Sequence, residues 1–149
     1  MTQDTLTVRV ERHFDFPAEK VFDAWFDSSA LGQWFFHAPD GEMKKIEIDP
    51  RVGGGFEIAE QRSDGLARHR GEYLVIDRPR KLVFTSDYVG PALDNAPTTT
   101  VTAKIAPDGD GCVLTLIHEG VLPGWGDQTK DGWTMILENL DETLGAGAK

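Results

Sequence analysis

The sequence predicts an α+β fold in which a curved, seven-stranded antiparallel sheet wraps around a long C-terminal helix, with two short helices after the first strand. The first observation behind this prediction is the order of the segments, β-α-α-β-β-β-β-β-β-α. The second is that apolar and polar residues alternate in the β segments, whereas helical spacing governs the last segment. Helices at the two ends of an antiparallel meander can cover only one face of its sheet, so the predicted product is an apolar cup. The 149 residues fit one domain, 1–149.

The strand segments show the alternation clearly. In LTVRVERHFDF, Leu6, Val8 and Val10 fall on one face, and Arg12 is a charged residue among them. The predicted strands are 6–16, 43–49, 56–62, 67–77, 81–89, 98–106 and 112–120.

The predicted helices have recognisable ends. Pro17 stops the first strand and suits the first turn of a short helix. Ser28 or Ser29 is expected to cap a second short helix that runs through Leu31 and Trp34. The closing helix is expected over 126–145, with one apolar stripe: Trp133, Ile136, Leu137, Leu140 and Leu144. Gly132 inside it costs about 1 kcal/mol relative to alanine, for which a close approach to a neighbouring segment is the expected reason.

Glycines punctuate the strands. The Gly53–Gly55 run precedes a strand rather than a helix and lacks a Lys-Ser/Thr pair, so it does not predict a phosphate-binding loop. Positive φ or close strand packing is the expected reason for these glycines. Gly71 is a candidate β-bulge. The Pro-Asp-Gly-Asp-Gly segment at 107–111 predicts a hairpin turn.

Composition excludes several classes of protein. A net charge of −10 disfavours nucleic acid and anionic membrane surfaces as partners. The absence of a leader-like segment and of a long apolar run predicts a cytoplasmic protein. The single cysteine, Cys112, excludes an internal disulfide, and its strand context predicts a buried thiol.

Five segments, in this order, resemble a known family: FPAEKVFDAWFDSSALGQWF, RVGGGFEI, GEYLVIDRPRKLVFT, LTLIHEG and GWTMILENLDETL. Together they resemble the domain related to activators of the 90-kDa heat-shock-protein ATPase, within the START-like helix-grip superfamily. The resemblance covers nearly the whole chain. It implies a sheet that grips the C-terminal helix, with a cavity between them.

The resemblance implies less about function. The superfamily includes lipid carriers, hormone-binding proteins, polyketide cyclases and aromatases. The eukaryotic co-chaperone of the family carries a second, larger N-terminal domain, for which 149 residues leave no room.

Strand alternation also predicts which side chains line the cup. The expected apolar lining is Phe56, Ile58, Tyr73, Phe84, Leu116, Trp133 and Leu137. The expected polar groups are His69, Ser86, Tyr88 and His118, and an apolar pocket with a few polar groups is typical of a small-molecule site.

Three functions are compatible with these residues. The preferred one is non-catalytic binding of a small hydrophobic or aromatic molecule. The second is a cyclase- or aromatase-like enzyme with His118 or Tyr88 as acid–base group. The third is a co-chaperone-type interaction module, with a chaperone or a second copy of the chain as partner. No cofactor is predicted. No metal site is predicted either, because His37, His69 and His118 lack compact ligand spacing. No Gly-x-Ser-x-Gly elbow indicates a hydrolase.

Overall fold

A computed structural model describes residues 5–27, 42–62, 65–89, 98–122 and 124–147. The strands are β1 (Leu6–Phe14), β2 (Glu42–Ile48), β3 (Gly55–Arg62), β4 (Gly65–Asp77), β5 (Lys81–Val89), β6 (Thr99–Asp108) and β7 (Gly111–Val121). The helices are α1 (Ala18–Ala24) and α2 (Gly126–Gly147).

The seven strands form one antiparallel sheet in the order β1-β7-β6-β5-β4-β3-β2. Strands β2 to β7 form a meander, and β1 joins it by pairing with β7, so that β1 and β2 occupy the two edges. The prediction of a curved, seven-stranded antiparallel sheet with a long C-terminal helix is therefore confirmed. The prediction of two short helices after β1 is not, because only α1 is described there. The second helix, through Leu31 and Trp34, lies outside the described residues.

The boundary between β1 and α1 shows how the first helix begins. The strand ends at Phe14, two residues before the predicted end, because Asp15 and Phe16 form a bend ahead of Pro17. The carbonyl oxygen of Pro17 then accepts hydrogen bonds from the backbone N–H groups of Lys20 and Val21, at 3.0 and 3.2 Å. Proline is suitable at the start of the helix because a backbone N–H group at this position would have no acceptor within the helix.

The structure shows why glycine occurs at two positions, 109 and 71. Gly109 has φ +62 and lies in the two-residue turn between Asp108 and Gly111, which pair with each other. Gly71 is not a bulge, since the irregularity of β4 falls between Tyr73 and Val75. A Cβ at Gly71 would collide with the carbonyl oxygen of Thr85 and would lie 2.6 Å from the Phe56 ring. Gly71 is therefore required by close packing.

Helix α2 packs mainly on β1 and α1. Its predicted apolar stripe is buried throughout: Trp133, Ile136, Leu137, Leu140 and Leu144. A hydrogen-bonded ion pair of 2.9 Å between Arg12 and Asp141 ties β1 to the same helix. Neither helix of the described chain combines the length and the apolar composition that a membrane crossing requires.

Gly132 is expected to tolerate a larger side chain. Within the described part of the chain, nothing lies within 4 Å of a Cβ built at this position, so the close approach expected from the sequence is wrong. Gly132→Ala is therefore expected to raise the free energy of unfolding by about 0.5–1 kcal/mol, because alanine loses less backbone entropy in a helix. Urea denaturation measures the change.

Gly71→Ala is the matched control. There the new methyl group meets backbone and an aromatic ring, and overpacking of this kind costs about 1–3 kcal/mol. A loss of stability in Gly132→Ala would contradict the open environment that the structure shows for this helix face.

Candidate ligand-binding site

The inner face of the sheet, which faces α2, carries the apolar residues that the sequence analysis singled out. All of them belong to one continuous buried cluster: Phe56, Ile58, Tyr73, Phe84, Leu116, Trp133 and Leu137. Strand alternation places the five strand residues there, because each strand of the sheet sends every second side chain to the same face, and Trp133 and Leu137 join the cluster from helix α2. Leu137, however, also forms part of a separate cavity next to β1.

Aromatic rings form a wall across β3, β4 and β5. Phe84 is its centre: its ring centroid lies 5.4 Å from that of Phe56, edge to face, and 6.0 Å from that of Trp25. Tyr73 lies 5.8 Å from Phe56 and 5.2 Å from Phe26. These five residues are called the aromatic wall below. Their spacing falls in the range that aromatic pairs prefer, and Phe56, Tyr73, Phe84 and Trp25 are all buried, so the wall is a closely packed, apolar part of the core.

Tyr73 is the one member of the aromatic wall with an ionisable group. Burial raises the pKa of its phenol, and the negative charge of Asp49 raises it further. The phenol is therefore neutral at physiological pH, and its hydroxyl keeps its proton as a hydrogen-bond donor.

Polar side chains occupy the inner face beside the aromatic wall. His69 is 8% exposed and Ser86 is 9% exposed. His69 on β4 pairs with Ile58 of β3 and with Tyr88 of β5. Tyr88 therefore occupies the neighbouring strand position, although its side chain lies outside the described part of the chain.

Glu60 is the residue that the sequence analysis missed. Its side chain is completely buried, and it pairs across β3 and β4 with Ala67, two positions from His69. The signal was present in the sequence, because Phe56 and Ile58 were assigned to the inner face and the same alternation places Glu60 there. Glu60, His69 and Ser86 are called the polar end below. It brings a carboxyl group, an imidazole and a hydroxyl to one side of an apolar wall.

His118 lies at a different place on the inner face, against helix α2. The indole Nε1–H of Trp133 donates to Nδ1 of His118 at 2.9 Å, and the two rings meet edge to face at 5.9 Å. The other ring nitrogen, Nε2, lies 2.6 Å from the hydroxyl oxygen of Thr99. The Thr99 hydroxyl donates to the backbone carbonyl oxygen of Ser86 at 3.1 Å.

These contacts determine the protonation of His118. An indole N–H only donates, so Nδ1 must be the acceptor and the proton of a neutral imidazole must be on Nε2. The Nε2–H group then donates to Thr99. Burial lowers the pKa of His118 to about 4, which agrees with a neutral ring. Both nitrogens are occupied, so acid–base chemistry by His118 would require this chain of hydrogen bonds to break.

Metal ligands and a reactive thiol were the other candidate reactive groups. Among the described residues, no three His, Cys, Asp or Glu side chains are grouped in a way that could hold a metal ion, and His37 lies outside them. Cys112 is buried. Desolvation raises the pKa of its thiol, and the negative charge of Glu19 adds to the effect. A raised pKa makes the thiol a poor nucleophile.

The family described as "Activator of Hsp90 ATPase homolog 1-like protein" matches residues 15–145. The chain belongs to this family. The match includes the aromatic wall, the polar end and nearly all of α2, so the features described above lie within the family's domain. No curated protein matches the sequence.

Solved structures share the fold over nearly the whole chain. A protein from Chromobacterium violaceum is 26% identical, with a TM-score of 0.80, and the match covers 91% of this chain and 95% of that one. An uncharacterized protein from Rhizobium leguminosarum is 22% identical, with a TM-score of 0.84 and 97% of both chains covered. CalU16 from Micromonospora echinospora is 21% identical, with a TM-score of 0.69, covering 97% of this chain and 87% of that one. These similarities establish the helix-grip fold.

Proposed function

We propose that this protein binds a small hydrophobic or aromatic molecule on the inner face of its sheet, between the aromatic wall and the polar end. The observation that carries the proposal is that the aromatic wall and the polar end lie next to each other on β3, β4 and β5. Three aromatic side chains of the wall, Phe56, Tyr73 and Phe84, lie on the same strands as the buried Glu60, His69 and Ser86. An apolar surface with a few oriented polar groups is the usual composition of a small-molecule site.

The position of helix α2 supports the same location for the ligand. The helix packs mainly on β1 and α1, at one side of the sheet, whereas the polar end belongs to β3, β4 and β5 towards the other side. The family's fold commonly binds hydrophobic ligands, so a ligand between sheet and helix is consistent with the architecture.

Ser86 lies where the aromatic wall meets the polar end. It occupies the position next to Gly71 on the neighbouring strand, because Arg70 pairs with Asp87 and Tyr73 with Phe84. Tyr73 and Phe84 lie to one side of this pair and His69 to the other. The Phe56 ring already covers Gly71, so a flat ring placed over the small Ser86 side chain would contact the aromatic wall and reach the polar end with a substituent.

Probe binding tests the proposal. We expect N-phenyl-1-naphthylamine, an apolar fluorescent probe, to bind with a stoichiometry near one and to change the fluorescence of Trp25 or Trp133. Ser86→Leu is expected to weaken binding roughly tenfold or more by filling the space over position 86, and a tenfold change corresponds to about 1.4 kcal/mol. Fluorescence titration measures both quantities.

Val83→Leu provides the matched control, because Val83 is on the same strand but on the opposite face. It enlarges an outward-facing side chain by one methylene group and is expected to leave the affinity unchanged. A folded parent protein that binds no probe would contradict the proposal and would favour an interaction module for a chaperone or a second copy. Equal loss of affinity in both variants would place the probe elsewhere.

A further inference from the structure

A cavity lies between β1 and α2, away from the aromatic wall. It has a volume of about 310 Å³, at the lower end of the range of small-molecule pockets, about 300–1,000 Å³. This cavity is called the β1–α2 cleft below. Because β1 is an edge strand, the cleft opens beside the free edge of the sheet.

The floor of the β1–α2 cleft is apolar. Val10 of β1 and Leu137 of α2 line it, and both side chains belong to the buried core. The hydroxyl of Thr134, which also lines the cleft, is occupied by a 2.9 Å hydrogen bond to the carbonyl oxygen of Lys130. Leu137, which is 0% exposed, closes the floor, and Val10, which is 8% exposed, provides its accessible apolar surface for a short hydrocarbon group.

The walls of the cleft carry positive charge. Three cations, Arg9, Arg12 and Lys130, line it with one carboxylate, Glu11, in a protein whose net charge is −10. Glu11 lies 3.7 Å from Arg9, but both side chains are largely exposed, and an ion pair of that kind is weak. Lys130 forms no ion pair with any described residue. The side chains of Arg9 and Lys130 can thus bind a ligand without breaking a strong contact.

Arg12 is the cation that the sequence places unexpectedly on the inner face. Its Nη2 donates to Asp141 at 2.9 Å. Its Nε–H is buried and donates to no acceptor in the described part of the chain. A buried donor without an acceptor costs about 1–3 kcal/mol, so an additional acceptor at this position would be favourable.

We propose that the β1–α2 cleft binds a small carboxylate that carries a short apolar chain. The chain would lie on Val10 and Leu137. The carboxylate would accept hydrogen bonds from Arg12 and from the ammonium group of Lys130, and such charge-assisted bonds are about twice as strong as neutral ones. This site is separate from the inner-face site of the proposed function and does not depend on it.

Calorimetric titration with octanoate and octanamide tests the inference. The two molecules have nearly the same size, and only octanoate is charged. At low ionic strength we expect octanoate to bind at least roughly fivefold more tightly, which corresponds to about 1 kcal/mol. Arg12→Gln and Lys130→Gln should each remove most of that preference while leaving the weak binding of octanamide unchanged.

Asp141→Asn gives the opposite expectation. It removes the carboxylate that competes for Arg12, so the affinity for octanoate should rise. Lys104→Gln, at an exposed position of β6, is the charge-matched control and should change nothing. Ser86→Leu, which blocks the inner face, should bind octanoate like the parent, and amide chemical shifts should change at Val10 and Leu137.

Three outcomes would overturn the inference. Octanoate and octanamide could bind equally well or not at all to the folded parent protein. The preference for octanoate could survive both Arg12→Gln and Lys130→Gln. Ser86→Leu could abolish octanoate binding, which would assign the carboxylate to the inner face instead and would leave the proposed function intact.

Discussion

Replacing Trp133 by alanine is expected to lower the free energy of unfolding by about 3–5 kcal/mol, the usual cost of removing a large buried aromatic side chain. Trp133 is buried on α2, with its ring centroid 6.5 Å from that of Trp25. It also donates to Nδ1 of His118. The substitution therefore opens a cavity under the helix and removes the hydrogen-bond partner of a buried acceptor.

Trp133→Phe separates these two contributions. Phenylalanine keeps most of the ring contacts but has no N–H, so we expect a loss of about 1–3 kcal/mol, the range for leaving a buried polar group unpaired. Chemical denaturation of both variants measures the difference. A cost below about 1 kcal/mol for the alanine variant would mean that the helix does not pack on the sheet through this residue.

Acidification is expected to destabilise the protein through His118. The pKa of His118 is about 4 in the folded protein, against an ordinary value of 6.5. Between pH 6.5 and pH 4 the unfolded chain therefore binds a proton that the folded protein does not bind at this site. Stability rises with pH wherever the unfolded state binds more protons, so the contribution is fully present above pH 6.5 and is lost on acidification.

The loss from His118 alone amounts to at most about 3.5 kcal/mol, because each pH unit between the two pKa values contributes about 1.4 kcal/mol. Carboxylates also titrate in the lower part of this range, so the measurement is a comparison with His118→Gln. Glutamine can accept from Trp133 and donate to Thr99, but it does not titrate. The difference in unfolding free energy between parent and variant should shrink steadily from pH 7 to pH 4.5. A constant difference would show that His118 has the same pKa in the folded and the unfolded protein, so that burial does not keep its ring neutral.

These two predictions concern one chain of hydrogen bonds. It runs from Trp133 on α2 through His118 on β7 and Thr99 on β6 to the backbone of Ser86 on β5. The chain fixes the helix against three adjacent strands and holds Ser86, a member of the polar end, by its carbonyl oxygen. We therefore assign His118 a positioning role. Tyr88 remains the candidate acid–base group of the alternative, a cyclase- or aromatase-like enzyme. Its side chain lies outside the described residues.

Most strands could be predicted because the sheet has one buried face. Alternation is then strict, and β5 has the predicted bounds, Lys81–Val89. The ends of other strands shifted by one or two residues, as in β1, where the bend before Pro17 is a property of the backbone rather than of side-chain pattern. The irregularity in β4 was assigned to Gly71, but it falls at Leu74, where two consecutive apolar residues, Leu74 and Val75, are exposed.

For the candidate ligand-binding site, the sequence predicted the face of each residue but not its contacts. Alternation correctly groups residues by face, which places His69, Ser86 and His118 among the inward positions. Alternation gives no distances between strands, so it could not show that His118 contacts Trp133 and Thr99 rather than Ser86 or Tyr88. Glu60 was overlooked because a carboxylate in a strand is usually exposed, although its position in the pattern matched that of Phe56 and Ile58.

The sequence by itself determined the family, the antiparallel sheet, the closing helix and the face on which each strand residue lies, because these follow from local periodicity and from the order of the segments. Only the tertiary structure decided which of those residues meet. The pairing of β1 with β7, the tautomer of His118, the burial of Glu60 and the grouping of Arg9, Arg12 and Lys130 around one cleft all depend on contacts between residues far apart in the chain. Such contacts are set by packing and strand register, which no local pattern encodes.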